Sequence, residues 1–372
     1  MVSQKKIQKV AKTIVNTNFG IKPRDVVVIS CGPNSLKFAE ALAYECSIIG
    51  AQSTITYGSD ELALKIYKKI NPKFLKFKPK LGWAHLNVVN AEMIIGESNP
   101  FVARKLPQNK IEIRRKVVKP LRRAREKKHL KKTLKTALIG FPTKEDARAM
   151  GLPFKKLEKI FWDTIDVDYS KLYRFNQKLL KRLEGVKKIR IEGKKTKLEF
   201  SVKNRKFINA CGIVTKKSEI GYLNLPDGEV FTAPVENSAN GEIYFDLPCM
   251  YHYGKQVKGV WFKFRKGKVV KYKIDKGLKN FEDVLKNASG DKYRIAEFAI
   301  GTNPKAKPTG GMIIIDEKLR GTIHIAIGHN KHFGGKNDST IHWDFFKTMG
   351  KGSRLYADKK LIMKDGKLIL NG

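Results

Sequence analysis

Cysteine is scarce in this 372-residue chain, and its four copies, Cys31, Cys46, Cys211 and Cys249, are scattered. No CxxC pair exists, which excludes a zinc knuckle and gives no sign of a disulfide framework. Reduced thiols in a cytoplasmic protein are the expectation. Long apolar runs are also missing: no stretch approaches the roughly 18 residues of a membrane-spanning helix. The N-terminal "MVSQKKIQKVAKTIVNTNFG" alternates Lys with Ile and Val and lacks a continuous apolar region, so it does not read as a secretory signal. Acids are few. Seventy-six Lys and Arg face 35 Asp and Glu, a formal net charge of +41.

Part of that charge is concentrated between Arg104 and Lys135, where Glu112 and Glu126 are the only acids. Such a segment attracts phosphate by counterion release. No Phe, Tyr or Trp lies within it, and no zinc-finger, RRM or KH pattern accompanies it, so no recognition device accompanies the charge. The excess of Lys also continues elsewhere, as in "KKIRIEGKKTK". The segment reads as a solvated helical surface with at most weak, non-specific nucleic-acid binding.

What is present organises the chain into two parts. "RDVVVISCG" is a short β-branched run ending in Gly, a buried strand. "SLKFAEALAYECSIIGA" follows at helical spacing with Ser35 as N-cap, and "QSTITYGS" reads as a second strand. Strand, helix and strand predict a parallel βαβ unit. The turn "CGPNS" lacks GxGxxG, which removes support for a dinucleotide site. A further strand is expected at Ala91–Ile95, and "TALIGFPTKEDARAMGLP" reads as a strand, a turn and a helix start. Past Val186 the pattern becomes alternating with charged turns, as in antiparallel strands. Helix is expected at "GLKNFEDVLKNAS" and near Arg294–Ala299. The fold class is α/β in two domains: an N-terminal open α/β domain with parallel strands, residues 1–185, and a C-terminal β-rich α+β domain, residues 186–372.

Four of the seven histidines lie between Gly321 and Asp344. In "GTIHIAIG", His324 and Ala326 share one strand face while Ile323, Ile325 and Ile327 share the other. In "TIHWDFF", His342 and Asp344 share a face opposite Ile341, Trp343 and Phe345. Buried polar pairs of this kind require a partner, and a metal ion or a His–Asp hydrogen bond would serve. The loop between holds His329 and His332, which are expected to touch solvent or substrate, and Gly334 and Gly335, which permit close approach of backbone to a ligand. Carboxylates stand at the ends of the most apolar segments: Glu229 in "PDGEVFT", Glu297 in "RIAEFAIG", and Asp316 and Glu317 closing "IIIDEKLRG", read as the end of a strand. Two His and several carboxylates exceed one zinc site and suit two hydrolytic metals sharing bridging carboxylates.

"GEVFTAP", "AEFAIGTNP", "DEKLRGTIHIAIG" and "GGKNDSTIHWD", in that order, resemble the aminopeptidase T and aminopeptidase S family of thermophilic metallo-aminopeptidases over nearly the whole chain. The resemblance implies a metal-dependent aminopeptidase with a C-terminal catalytic domain, peptide substrates and a homodimer. It implies metal ligands at Glu229, Glu297, Glu317, His324, His342 and Asp344, with two divalent cations; Zn, Co and Mn all suit such mixed donors. Some members carry a tyrosine shortly after the HIAIG segment; here "HNKHFGG" holds none, and His329, Lys331 or His332 stand in its region. Glu236 in "PVENSANG" is the candidate catalytic proton shuttle to the leaving amine. Two alternatives stay open. Dihydroxypyridine ring-cleaving dioxygenases also resemble this arrangement, and His324, His342 and Asp344 would then hold a single Fe(II). A basic, nucleic-acid-associated protein on the same scaffold is the other.

Overall fold

The computed structural model describes residues 2–97, 99–214, 218, 221–251 and 255–370. Four apolar runs form the parallel strands β1 (Val26–Cys31), β2 (Gln52–Tyr57), β3 (Ala91–Gly96) and β4 (Lys135–Gly140). A fifth, β8 (Tyr222–Leu225), joins β4 in parallel, giving the order β2-β1-β3-β4-β8. The helix Leu36–Ile48 links β1 to β2, as the strand–helix–strand pattern predicts. Ser35 takes the N-cap position, but its side chain accepts from the Gly32 amide instead of capping the helix. Thr143 forms a capping box with Asp146 at the start of the helix Lys144–Met150. The charged segment folds largely as one long helix, Gln108–Leu130.

The chain does not divide at one point between residues 185 and 186. The first unit comprises Met1–Tyr169 and Gly212–Pro226, the second Ser170–Cys211 and Asp227–Gly372. The physical reason lies in two elements. The helix Tyr169–Leu183 buries Leu179 and Leu183 in the core of the second unit, and β8 completes the parallel sheet of the first.

The second unit is antiparallel β, as the alternating pattern predicts. One sheet runs β12-β11-β10-β6-β5-β16-β17-β18, from β5 (Lys188–Gly193), β6 (Thr196–Ser201), β10 (Asn240–Phe245), β11 (Lys258–Arg265), β12 (Lys268–Lys276), β16 (Arg354–Ala357), β17 (Lys360–Lys364) and β18 (Lys367–Leu368). The other runs β15-β14-β13-β9-β7, from β7 (Ile208–Ala210), β9 (Glu229–Thr232), β13 (Ile295–Gly301), β14 (Thr322–Gly328) and β15 (His342–Thr348). Phe200, Phe245 and Phe262 of the first sheet and Ile323, Ile325, Trp343 and Phe345 of the second share one core.

Two local expectations are corrected. Residues near Arg294–Ala299 form strand β13, not helix. Every residue of "IAEFAIG" is buried, so periodicity cannot separate the two states, and its shortness and terminal Gly fit a strand. The run before Glu317 is a single helical turn, Ile313–Asp316, not a strand. The expected helix in "GLKNFEDVLKNAS" is present at Leu278–Lys286.

Candidate metal centre

Strand register brings the sequence-predicted residues together. Across β13, β14 and β15, Glu297 pairs with Ala326 and Ala326 with Asp344. Directly paired residues share a face, and so do residues two apart on one strand. Glu297, His324, Asp344 and His342 therefore project from one face, while Ile323, Ile325, Ile327, Trp343 and Phe345 enter the core from the other. Glu229 opens β9 opposite Gly301. A methyl group at Gly301 would lie 2.1 Å from the Leu319 carbonyl, so glycine admits the turn that carries Glu317.

Two groups of three result: Glu229, Glu317 and His324, and Glu297, His342 and Asp344, the ligand atoms of each lying within 4.8 Å of one another. Glu297 faces both histidines. Its Oε1 is 3.4 Å from His324 Nε2 and its Oε2 is 3.3 Å from His342 Nε2. His324 Nε2 is also 3.6 Å from Glu229 Oε2 and 3.8 Å from Asp344 Oδ1. The His342 ring is oriented from behind: Nδ1 donates to the His329 carbonyl at 2.7 Å, which turns Nε2 toward the carboxylates.

Sequence reasoning missed two members. Lys318 is fully enclosed, and its Nζ lies 2.6 Å from Glu229, 2.8 Å from Glu317 and 3.3 Å from Asp227. The signal available in the sequence is their adjacency: Asp227 lies two residues before Glu229, and Lys318 directly follows Glu317. Asp316 does not join the cluster. It accepts from the Thr309 amide and hydroxyl and from the Gly311 amide, bracing the helical turn, and burial pushes its carboxyl up to about 7.

Electrostatics reflect crowding of negative charge. Burial, opposed by Lys318 and reinforced by Glu317, raises the Glu229 carboxyl to about 8. Burial acts on Glu297 as well, but the two histidines outweigh it and hold its carboxyl at about 2. Burial lowers His324, yet the Glu297 hydrogen bond and the Glu229 and Asp344 charges lift it to about 9. His342 is raised too, by Asp344 and Glu297 against burial. Protons thus accumulate where the carboxylates lack a cation. Glu229 Oε2 is buried without a hydrogen-bond partner. An orphaned carboxylate oxygen beside two imidazoles and further carboxylates fits divalent metal ions.

Other expected residues lie outside these groups. Glu236 accepts from Arg205 at 2.6 Å, from the Lys336 amide at 2.6 Å and from Asn330 at 3.2 Å. Burial raises its carboxyl, but those donors bring it below the usual range, so it stays ionised. His329 and His332 pack on each other, ring centroids 4.6 Å apart. A methyl group at Gly335 would meet the Asn330 side chain at 2.0 Å, so that glycine makes room for the protein's own loop.

Comparison with known proteins places the chain in a family. The thermophilic metalloprotease family model matches residues 3–368. The chain belongs to this family. It is 21% identical to aminopeptidase T of Thermus thermophilus over 92% of each chain, and 23% identical to aminopeptidase PepS of Streptococcus thermophilus over 91% of each. A shorter match, 30% identical, covers 35% of aminopeptidase T of Thermus aquaticus, about a third of that relative's length. Among solved structures, wild-type AmpT from Thermus thermophilus superposes with a TM-score of 0.78 at 20% identity, covering 98% of this chain and 99% of that one. A 2,5-dihydroxypyridine dioxygenase from Pseudomonas putida gives 0.61 at 15% identity, covering 99% and 98%. These structural likenesses fix the two-part α/β fold. Among the described residues, no helix of the metalloprotease is long and apolar enough to cross a membrane.

Proposed function

We propose that this metalloprotease is an aminopeptidase that holds two divalent ions, one on Glu229, Glu317 and His324, the other on His342 and Asp344, with Glu297 shared. The observation that carries the reading is charge balance. Asp227, Glu229, Glu297, Glu317 and Asp344 are all buried and Lys318 is the ammonium among them. With neutral histidines, four negative charges remain, which two divalent ions cancel. One Fe(II) would leave two negative charges to be balanced by protons on the remaining carboxylates, so the fully ionised ligand set favours the two-metal reading over the dioxygenase reading.

Bound ions would supply Lewis-acid polarisation of the scissile carbonyl and would lower the pKa of a water to the neutral range. The chain's own residues set the stage. Lys318 fixes Glu229 and Glu317 and neutralises part of their charge. The His329 carbonyl holds the His342 tautomer. Phe231 and Phe333, ring centroids 5.5 Å apart with Phe333 5.8 Å from His342, offer an apolar wall to the substrate's first side chain. Glu236 positions the loop at residues 330–336 through Asn330 and Lys336, and this supports a structural role for it over the proton-shuttle role. Cleavage of the first peptide bond is supported by the aminopeptidase relatives, and Zn, Co and Mn all suit the donors. A homodimer in the cytoplasm completes the reading.

Metal analysis of the purified protein beside peptide hydrolysis tests it. Two ions per chain, release of Leu from Leu-p-nitroanilide and inert N-acetylated peptides are expected. One iron with no hydrolysis would overturn the proposal in favour of the dioxygenase. Equal cleavage of free and acetylated peptides would overturn the aminopeptidase assignment alone.

A further inference from the structure

The parallel sheet of the first unit contains a topological switch point. From β1 the chain crosses to β2 on one side, then returns past β1 to place β3 on the other. In open α/β sheets the crevice beyond the carboxyl ends of such strands is where ligands bind. A cavity of about 650 Å³ occupies that position here, bounded by Cys31 at the end of β1, Tyr57 at the end of β2 and Ile95 on β3. None of its lining residues belongs to the candidate metal centre.

The cavity is not built for phosphate. In dinucleotide-binding folds the amides after the first strand point at an anion. Here Glu97 already fills that place: its Oε1 and Oε2 accept from the Asn34 amide at 2.9 and 3.1 Å. A methyl group at Gly32 would lie 1.9 Å from Glu97 Oε1, so glycine admits the carboxylate against the backbone. The missing GxGxxG therefore has a structural counterpart, a protein carboxylate in the anion's position.

Charge around the cavity runs opposite to that of the molecule. Asp60, Glu61, Glu97 and Glu145 all line it. In a chain with 76 basic and 35 acidic residues, carboxylates gathered without cations are unexpected. Yet among the described residues none of the four forms an ion pair, whereas Glu92 on the same sheet is paired with both His85 and Arg125. Nor do the four converge on a point. Among the described residues, the only clusters tight enough for a metal ion are the two of the second unit. Dispersed carboxylates around a cavity of this size, with Tyr57, Cys31 and Ile95 between them, match separated ammonium groups on an aliphatic chain.

We propose that this cavity binds a small aliphatic amine carrying two or more ammonium groups. The carboxylates face the ammonium groups, and the apolar lining faces the methylenes. The site is independent of the aminopeptidase reading and would exist were that reading wrong.

Calorimetry on the full-length protein, loaded with divalent metal so that its metal centre is filled, tests the idea with spermidine and putrescine as probes. Saturable binding of one spermidine per chain is expected, tighter than putrescine and weakened at least tenfold by Glu61→Gln/Glu145→Gln. Peptide hydrolysis by that variant should stay at the wild-type level. Hydrogen exchange on the unaltered protein gives a second measurement, in which spermidine should protect the amides of Gly32, Asn34 and Asn99. Absence of saturable binding, unchanged affinity in the double variant, or protection confined to residues 227–229 and 317–344 would overturn the proposal. Displacement of spermidine by millimolar Mg²⁺ with equal occupancy would overturn the amine class in favour of a metal ion.

Discussion

Lys318 Nζ lies 2.6 Å from Glu229 Oε1 in a site from which its side chain has no exit to solvent. The ammonium is the permanent cation that lets three carboxylates share that space. Lys318→Met keeps the apolar stem and removes the charge. Breaking a buried pair from one side costs about 3–5 kcal/mol, so the urea midpoint of the metal-free protein should fall markedly. Hydrolysis should drop roughly 10–100-fold with misplaced Glu229 and Glu317. Wild-type stability and turnover in this variant would show that the ammonium is dispensable.

Metal removal should expose a pH dependence that the loaded protein lacks. In the metal-free protein Glu229 titrates at about 8 and His324 at about 9, both above their ordinary values. The folded state then binds more protons than the unfolded chain, so stability is lost as pH rises. His324 contributes fully below about 6.5 and loses its share through pH 9, on the order of 3 kcal/mol at one pKa unit per 1.4 kcal/mol. Glu297, held at about 2, acts in the opposite direction and only in acid. Melting temperature of chelator-treated protein should therefore fall between pH 6.5 and 9. Bound divalent ions replace those protons, and the slope should flatten. A metal-free protein with level stability across that range would contradict the shifts.

Much of this arrangement was legible in the residue pattern. Period-two alternation placed His324 with Ala326 and His342 with Asp344, and the register of β13, β14 and β15 unites them as expected. What escaped was non-local. Lys318 follows Glu317 directly, but that adjacency alone does not reveal its contact with Glu229, which depends on a turn meeting β9 across the fold. Glu236 looked like a free acid near the site, yet Arg205, Asn330 and Lys336 consume its oxygens. Strand β13 was misread because a fully buried segment has no polar face to reveal its period.

The apolar wall formed by Phe231 and Phe333 should set side-chain preference. Phe333→Ala removes the ring beside His342 while leaving both ligand groups intact. KM for peptides beginning with Leu should rise by roughly tenfold relative to those beginning with Ala, within the range of one hydrophobic pocket contact. Metal content should be unchanged. An equal effect on both peptide series would mean that Phe333 supports the loop and does not touch the substrate.

The long basic helix should bind nucleic acid weakly and without sequence preference. Several of its cations are already committed to their own unit: Arg125 to Glu92 at 2.7 Å, Arg114 to the Phe77 carbonyl at 2.8 Å, Lys110 to the Ile70 carbonyl at 2.8 Å, and Lys128 to the Leu86 carbonyl. These bonds dock the helix and reduce the cations free to meet phosphate. No Phe, Tyr or Trp lies along it to stack a base, and His129 is buried. Attraction should therefore be electrostatic only, with each neutralised phosphate adding about −0.7 to −0.9 to the log–log salt slope. Titration of labelled RNA at low and near-physiological salt should show binding that largely vanishes at the higher salt. Added RNA should leave peptide hydrolysis unchanged. Tight, sequence-selective binding that survives physiological salt would bring nucleic acid forward as a partner, and the docked side of the helix would then have to be only part of its function.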